Sequence, residues 1–554
     1  MQNNVTRQPT LRPWNRQAER SVVLVWTPPV RLAMLKSFKY QAAPSFDVLL
    51  TADQAYPVLE REFLNARSEI WAGFRVFDLA TLIRSSAGKR VAETWFDLII
   101  HTLSRGVTIN IVISDFDPVA RPSLHRGTWR SVRRLIAAAE LAGASDRLRV
   151  TAAMHPARTG LLPRILFWPV ILHRQFKAAR WLNRRSLPER LAAIREMPGL
   201  AKHLIALTDG RVRPKLWPIP TLHPATHHQK MAVFDRKRLY LGGLDLDERR
   251  FDTTAHDRNA DETWHDAQLN LSGPAVSEAQ SHLESFLDVT AGRRQPERQR
   301  RFLRTMSRPR KNNLIHFGPE PVVEEIAVAH EHYGKRARRL IYLETQYFRD
   351  LHFARYLARR TSENPGLSLI LVLPGAPEEI AFERRIGLDA RFGEFLQARA
   401  LRILVKAFGK RLFVAGMAQP RRKNGGNENG RALLHGAPIV YIHSKVSIFD
   451  ESAAIISSAN LNGRSLRWDT EAGLLLTDRS HVQLLRSKVM GHWLPENAHH
   501  GYFDPSRAVS TWRALALANA RKNPEQREGF VLPYDIKAAE RDATEVPVVP
   551  AEMV

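Results

Sequence analysis

The pattern His-x-Lys-x-x-x-x-Asp occurs twice in this chain, as "HQKMAVFD" from His228 to Asp235 and as "HSKVSIFD" from His443 to Asp450. One constant offset of 215 residues relates them, 443 against 228, 445 against 230 and 450 against 235. The match continues without a gap. "RLYLGGLDL" (Arg238 to Leu246) lies over "AAIISSANL" (Ala453 to Leu461), so Gly243 faces Ser458 and Asp245 faces Asn460. Other segments pair in the same order: "SEIWAGFRVFD" (Ser68 to Asp78) with "RLIYLETQYFR" (Arg339 to Arg349), "RGVTINIVISD" (Arg105 to Asp115) with "PGLSLILVLPG" (Pro365 to Gly375), and "WHDAQLNLSGP" (Trp264 to Pro274) with "DTEAGLLLTD" (Asp469 to Asp478). So long a period is not that of a solenoid; it marks a duplicated globular unit.

Each copy reads as helix, strand, helix, strand, motif strand, turn, strand. "LEREFLNARSEI" has helical apolar spacing. "VTINIVI" and "LSLILVL" are short aliphatic runs that suit buried strands. Strands alternating with helices predict an α/β fold. The expected architecture is two duplicated α/β/α sandwich lobes, related by pseudo-twofold symmetry, with one shared active site at their interface. The expected boundaries are an N-terminal extension over 1–45, a first repeat over 46–300, a second over 301–500, and a C-terminal helix and tail over 501–554.

His228 and Lys230 are two residues apart, as are His443 and Lys445, so on a strand each pair projects from one face. A lone buried histidine is ordinarily a satisfied core residue; two His-x-Lys pairs at matched positions point to chemistry. Two imidazoles flanking a phosphate, with two ammonium groups on its oxygens, suit phosphodiester cleavage. One neutral imidazole attacks phosphorus to form a phosphohistidine. The other, protonated, supplies a proton to the leaving alcohol and later activates water or another alcohol. Lys230 and Lys445 stabilise the charge on the phosphoryl oxygens. Asn460 adds a neutral donor that its counterpart Asp245 cannot match when ionised. Glu471 and Asp266, at equivalent places in the two copies, are the expected orienters of the histidines. Asp235 and Asp450 complete the catalytic set, with capping of a turn as their alternative role. Gly243, Asp245 and Ser458 are expected to line the substrate site. An ammonium beside each histidine repels a cation, and the chain contains no HExxH, EF-hand loop or cysteine, so neither a metal at this site nor a cofactor is expected.

Composition narrows the partners. The formal net charge is +27 over 554 residues, which favours anionic surfaces or substrates. Without cysteine, disulfides are impossible. The first twenty residues contain no apolar core of signal-peptide type. The longest greasy stretch, "LLPRILFWPVIL" from Leu161 to Leu172, is too short to span a bilayer. The expected location is the cytoplasm, with peripheral attachment to a membrane; export without a cleavable signal leaves no trace in a sequence.

These residues resemble the phospholipase D superfamily, whose hallmark is two HxKxxxxD motifs in one chain. The resemblance covers Phe46 to Trp493 and is sharpest at "HHQKMAVFD…LGGLDLDERRFD", "WHDAQLNLSGPAV", "IYLETQYF" and "YIHSKVSIFD…SSANLNGRSL…DTEAG". "GGLDL" followed by "WHD…GPA" is most similar to the phosphatidylcholine-hydrolysing branch. The resemblance implies hydrolysis of glycerophospholipids to phosphatidic acid and free head group, with transphosphatidylation to alcohols. It implies His228 as nucleophile and His443 as acid/base. A cardiolipin-synthase-like phosphatidyltransferase and a nuclease of the same superfamily are the alternatives. The duplication and the greasy basic insert favour lipid over nucleic acid, and one chain with two motifs suffices as a monomer. The chain departs from the plant enzymes in having no C2-like module before the first repeat, so their calcium dependence is not carried over. The two-helix membrane anchor of cardiolipin synthases is likewise not expected.

An extra segment of the first copy, about 154–220, carries Trp168, Trp181 and Trp217 among many arginines. Its mixture of aromatic, aliphatic and cationic residues suits membrane docking or an active-site lid; a helical hairpin with solvated cations is the alternative. "AQPRRKNGGNENGRALLHGAP" (Ala418 to Pro438) reads as a loop near the second motif, and "AERDATEVPVVPAEMV" as a disordered tail.

Overall fold

A computed structural model of the chain describes residues 46–383 and 387–554, all within one compact unit. The expected extension over 1–45 lies outside them. Seven strands form the first sheet: β1 (Phe46–Leu50), β2 (Glu69–Phe74), β3 (Thr108–Asp115), β4 (Leu148–Met154), β5 (Met231–Phe234), β6 (Arg238–Gly242) and β7 (Ala267–Leu271). Nine form the second: β8 (Phe302–Arg308), β9 (Glu320–Glu324), β10 (Leu340–Glu344), β11 (Ser368–Leu373), β12 (Leu412–Met417), β13 (Val446–Phe449), β14 (Ala453–Ser457), β15 (Glu471–Leu476) and β16 (Val531–Pro533).

The strand orders repeat. The first sheet runs β1-β7-β6-β5-β2-β3-β4, and the second runs β9-β8-β15-β14-β13-β10-β11-β12-β16. Within them β7-β6-β5-β2-β3-β4 matches β15-β14-β13-β10-β11-β12 strand for strand. The sense of pairing matches too: β2 and β3 are parallel, β2 and β5 antiparallel, as are β10 with β11 and β10 with β13. Even the register agrees. Phe234 pairs with Ile70, and Phe449, 215 residues later, pairs with Ile341.

Alternation along each strand feeds separate apolar layers. On β5, Met231 and Val233 enter the cluster between the sheets, while Ala232 and Phe234 enter the outer layer of the first sheet. In that outer layer Trp95 meets Phe63 and Phe77 edge-on at 5.1 and 5.6 Å, and Phe63 and Phe77 lie tilted to each other at 6.5 Å. Burial of such side chains stabilises the lobe by roughly 1.5–3 kcal/mol each. The central cluster draws on both sheets and on the helices Ala275–Thr290 and Arg479–Gly491. Lys488, on the second of these helices, donates from Nζ to Val48 O of β1 at 3.0 Å. The two repeats therefore share a core.

Two local expectations need correction. Regular strand begins at Met231 and Val446, so the motif histidines and lysines sit on extended lead-ins, because those segments pair with the opposite repeat. The C-terminal segment, expected as a disordered tail, is packed. Glu552 pairs with Arg467 at 3.2 Å, Val554 O accepts from Asn462 Nδ2 at 3.3 Å, and Met553 packs on Ala157, Ala225 and Trp468. The Ala418–Pro438 loop is pinned by Glu428, whose carboxylate accepts from Arg421 and from the amides of Asn424 and Ala260 at 2.5 to 3.1 Å.

The insert forms helices Leu161–Leu166, Trp168–Asn183, Leu187–Arg195 and Pro198–Ala201 and a short hairpin of Leu204–Ala206 with Val212–Pro214. It has a small core of its own around Leu182, Met197 and Leu200. No helix among the described residues is long and apolar enough to cross a membrane.

Candidate active site

The lead-ins exchange hydrogen bonds between repeats. The His228 amide donates to Thr470 O at 2.8 Å and the Thr470 amide to Thr226 O at 2.9 Å. Reciprocally, the His443 amide donates to His265 O at 2.8 Å and the His265 amide to Tyr441 O at 2.9 Å. Thr226 and Tyr441 occupy matched positions, so the two exchanges are copies of one another.

This crossing brings each histidine to the other repeat's carboxylate. His228 Nδ1 lies 3.1 Å from both oxygens of Glu471, and His443 Nδ1 lies 2.6 Å from Asp266 Oδ2. Each carboxylate therefore fixes the tautomer and tilt of an imidazole and leaves Nε2 for chemistry. Neither repeat holds a complete His–carboxylate pair alone. Lys230 Nζ stands 3.2 Å from His228 Nε2 and donates to His228 O at 2.6 Å; Lys445 Nζ donates to His443 O. The histidine side chains keep 14% and 7% exposure, over carboxylates that are fully buried.

The electrostatics join the two halves. Burial, then Lys230, Arg75, Lys445 and Arg464, holds His228 well below the ordinary imidazole value. Burial, then Lys445, Lys230, Arg250 and His228, does the same for His443. Burial brings Lys445 down to about 7 and lifts Asp266 to about 6. Glu471 is also raised by burial. Every group is pushed toward its neutral form, and an anion placed between the lysines would favour the charged form of the lysines and histidines.

Several expected site residues serve the machinery at one remove. Gly243 leaves room for Asp266: a Cβ there would stand 2.2 Å from Asp266 Oδ1. Its counterpart Ser458 donates its hydroxyl to Glu471. Both stand against the orienting carboxylates. Asp235 and Asp450, expected in the catalytic set, lie at the far ends of β5 and β13. Asp235 accepts from the amides of Arg67, Ser68 and Glu69, and Asp450 from those of Arg338, Arg339 and Leu340, all at 2.7 to 3.0 Å. Each stabilises a turn at positive φ, 49° and 52°; the capping alternative is the one the geometry takes.

Asp245 meets the Val76 amide at 2.9 Å and the Arg75 guanidinium at 3.5 Å. The matched pair in the second repeat is Asn460 with Gln346, joined at 3.3 Å. Duplication has thus left a charged pair in one half and an amide pair in the other. The alignment of Ser68–Asp78 with Arg339–Arg349 already set Arg75 against Gln346, so that signal was present in the sequence. Arg250 carried no such signal. Its guanidinium stacks 3.4 Å over Trp264, whose ring lies 4.5 Å from that of His443.

A family model described as "Cardiolipin synthase, PLD-like domain" matches residues 335–493, which contain the second motif, Asn460 and Glu471. Phospholipase D alpha 3 of Arabidopsis thaliana is 23% identical over 377 residues, covering 46% of this chain and 45% of that protein. Cardiolipin synthase B of Escherichia coli K12 is 26% identical over 287 residues, covering 50% and 58%. The chain belongs to the phospholipase D superfamily. As a member it spans about half the length of the curated relatives it matches. The crystal structure of phosphatidylserine synthase from Haemophilus influenzae Rd KW20 aligns with this superfamily member at a TM-score of 0.47 and 12% identity, over 86% of this chain and 95% of that one.

Proposed function

We propose that the protein is a phospholipase D that hydrolyses glycerophospholipids and transfers the phosphatidyl group to alcohols. The observation that carries this reading is the pair of crossed histidine–carboxylate contacts, His228 with Glu471 and His443 with Asp266, with a lysine beside each imidazole.

The neutral His228 attacks phosphorus through Nε2, forming a P–N bond as the P–O bond to the head group breaks. His443, as imidazolium on Asp266, gives its proton to the departing oxygen. Its 2.6 Å contact is the shorter of the two, as suits the group that must carry positive charge. Water or an alcohol then attacks the phosphohistidine, His443 takes its proton, the P–N bond breaks, and phosphatidic acid or a phosphatidyl alcohol leaves. Lys230 and Lys445 hold the phosphoryl oxygens throughout.

The membrane is the proposed partner. Leu162, Ile165, Leu166 and Val170 on the insert are about half exposed, as are Leu314 and Ile315 beside them; the Leu162 amide donates to Leu314 O at 2.9 Å. These exposed apolar residues, set among the insert's cations, suit docking on an anionic lipid surface.

A second reading is transfer to a lipid alcohol, favoured by the cardiolipin-synthase domain match over 335–493. The test uses purified protein, mixed-lipid vesicles and a little ethanol, with products read by mass spectrometry. Phosphatidic acid and phosphatidylethanol, lost in His228→Ala and His443→Ala, are expected. A dimeric phospholipid as main product would select the second reading. Cleavage of DNA much faster than of lipid at physiological salt would overturn both.

A further inference from the structure

Behind His443 lies a cluster of histidines that the reaction does not use. His256 follows the GGLDL turn, His265 precedes the orienting Asp266, and His492 ends the helix Arg479–Gly491 of the second repeat. One ring nitrogen of each lies within 4.8 Å of the others. His256 and His265 are fully buried.

Their hydrogen bonding does not close. His256 Nδ1 is held by Asp252 Oδ2 at 2.6 Å. Asp252 also accepts from the Thr253 and Trp264 amides, so it stands as a carboxylate and His256 Nδ1 carries the proton. That leaves a lone pair on His256 Nε2, which faces His492 Nε2 at 2.9 Å. A proton on His492 would satisfy that pair. It would do nothing for His265 Nδ1, which meets no hydrogen-bond partner among the described residues, while Nε2 stands 3.2 Å from the buried Glu344 Oε1. A buried imidazole left so is costly and calls for a missing partner.

We propose that His256, His265 and His492 bind a divalent transition-metal ion, zinc by the chemistry of the donors. Three neutral imidazoles suit zinc's borderline softness and leave a fourth position for water. Asp252 on His256 and Glu344 beside His265 are the carboxylates that orient metal-bound imidazoles by taking the other ring N–H. Glu344 is itself anchored by Tyr342 Oη at 2.6 Å and Trp493 Nε1 at 3.0 Å. The φ of 51° at His256 is a local cost of aiming that ring inward.

The ion is a positioning device. It ties two ligands of the first repeat to one of the second. His265 O accepts the amides of His443 and Ser444 at 2.8 and 3.1 Å, and the next residue is Asp266. Fixing His265 therefore fixes the carboxylate and the backbone that aim His443, with no ligand reaching substrate.

The test is the metal content of the purified full-length chain by mass spectrometry, with cobalt(II) uptake read from its visible ligand-field absorption. The expected result is about one zinc per chain, unchanged in His228→Ala and His443→Ala. It should fall at least tenfold in His256→Gln and in His492→Ala. His492→Ala is partly exposed and guards against misfolding, which far-ultraviolet circular dichroism checks. The proposal is overturned if folded wild type carries no stoichiometric metal and takes up no cobalt. It is equally overturned if the ion stays in folded His256→Gln/His492→Ala, or leaves with the catalytic histidines. None of these readouts depends on turnover, so failure of the lipase reading is distinguishable from failure of this one.

Discussion

The unlike pairs at matched positions, Arg75–Asp245 and Gln346–Asn460, make a transplant experiment. Asp245 is 4% exposed and Arg75 22%. At their 3.5 Å separation, an effective dielectric near 20 gives an attraction of about 5 kcal/mol. Desolvation offsets much of this, which leaves a coupling of about 2–3 kcal/mol. Arg75→Gln strands a buried carboxylate whose remaining fixed donor is the Val76 amide, and should destabilise by about 3 kcal/mol. Asp245→Asn strands the cation and should cost less, since Arg75 reaches solvent. The double variant Arg75→Gln/Asp245→Asn installs the amide pair that the second repeat already holds at 3.3 Å, and should lie within about 1 kcal/mol of wild type. Urea unfolding of the four proteins, followed by tryptophan fluorescence, measures the cycle. Single losses that add in the double variant to within about 0.5 kcal/mol would refute the reasoning, because the charges would then contribute nothing by being paired.

Other outcomes follow from the same geometry. Asp266→Asn keeps the size of the side chain but removes the charge from His443, and should lower kcat about 10²–10⁴-fold; Glu471→Gln should also slow turnover, both read with a soluble phosphodiester. With an activated nitrophenyl leaving group no acid is needed, so His443→Ala should release a single burst of nitrophenolate and His228→Ala none; the reverse pattern would exchange the two roles. Burial brings Lys445 to about 7 in the free protein, and a bound anion raises it. Tungstate should therefore bind with proton uptake above pH about 7 and weaken as pH climbs, which calorimetry in buffers of different ionisation enthalpy reads. Ile165→Asp/Leu166→Asp should weaken vesicle binding several-fold without changing turnover of the soluble substrate; equal loss on both substrates would make the insert a structural element only.

Much of the site was legible in the sequence because duplication labels matched positions. His228 with His443, Lys230 with Lys445, and Glu471 with Asp266 came from the repeat alone, as did the α/β class, since a strand pattern in a chain is local. The same alignment set Arg75 opposite Gln346, though only contact with Asp245 and Asn460 gave those residues meaning. What each of the others touches was not legible. Strand polarity cannot say that Asp235 and Asp450 turn away to cap backbone amides, or that Gly243 and Ser458 sit beneath carboxylates. Nor does any spacing bring His256, His265 and His492 together, since the third comes more than two hundred residues after the others. The repeat determined that two half-sites exist. Only the packing of the lobes decided that each half is finished by the other, because a hydrogen bond between His228 and Glu471 depends on where two separate sheets meet and not on any interval along the chain.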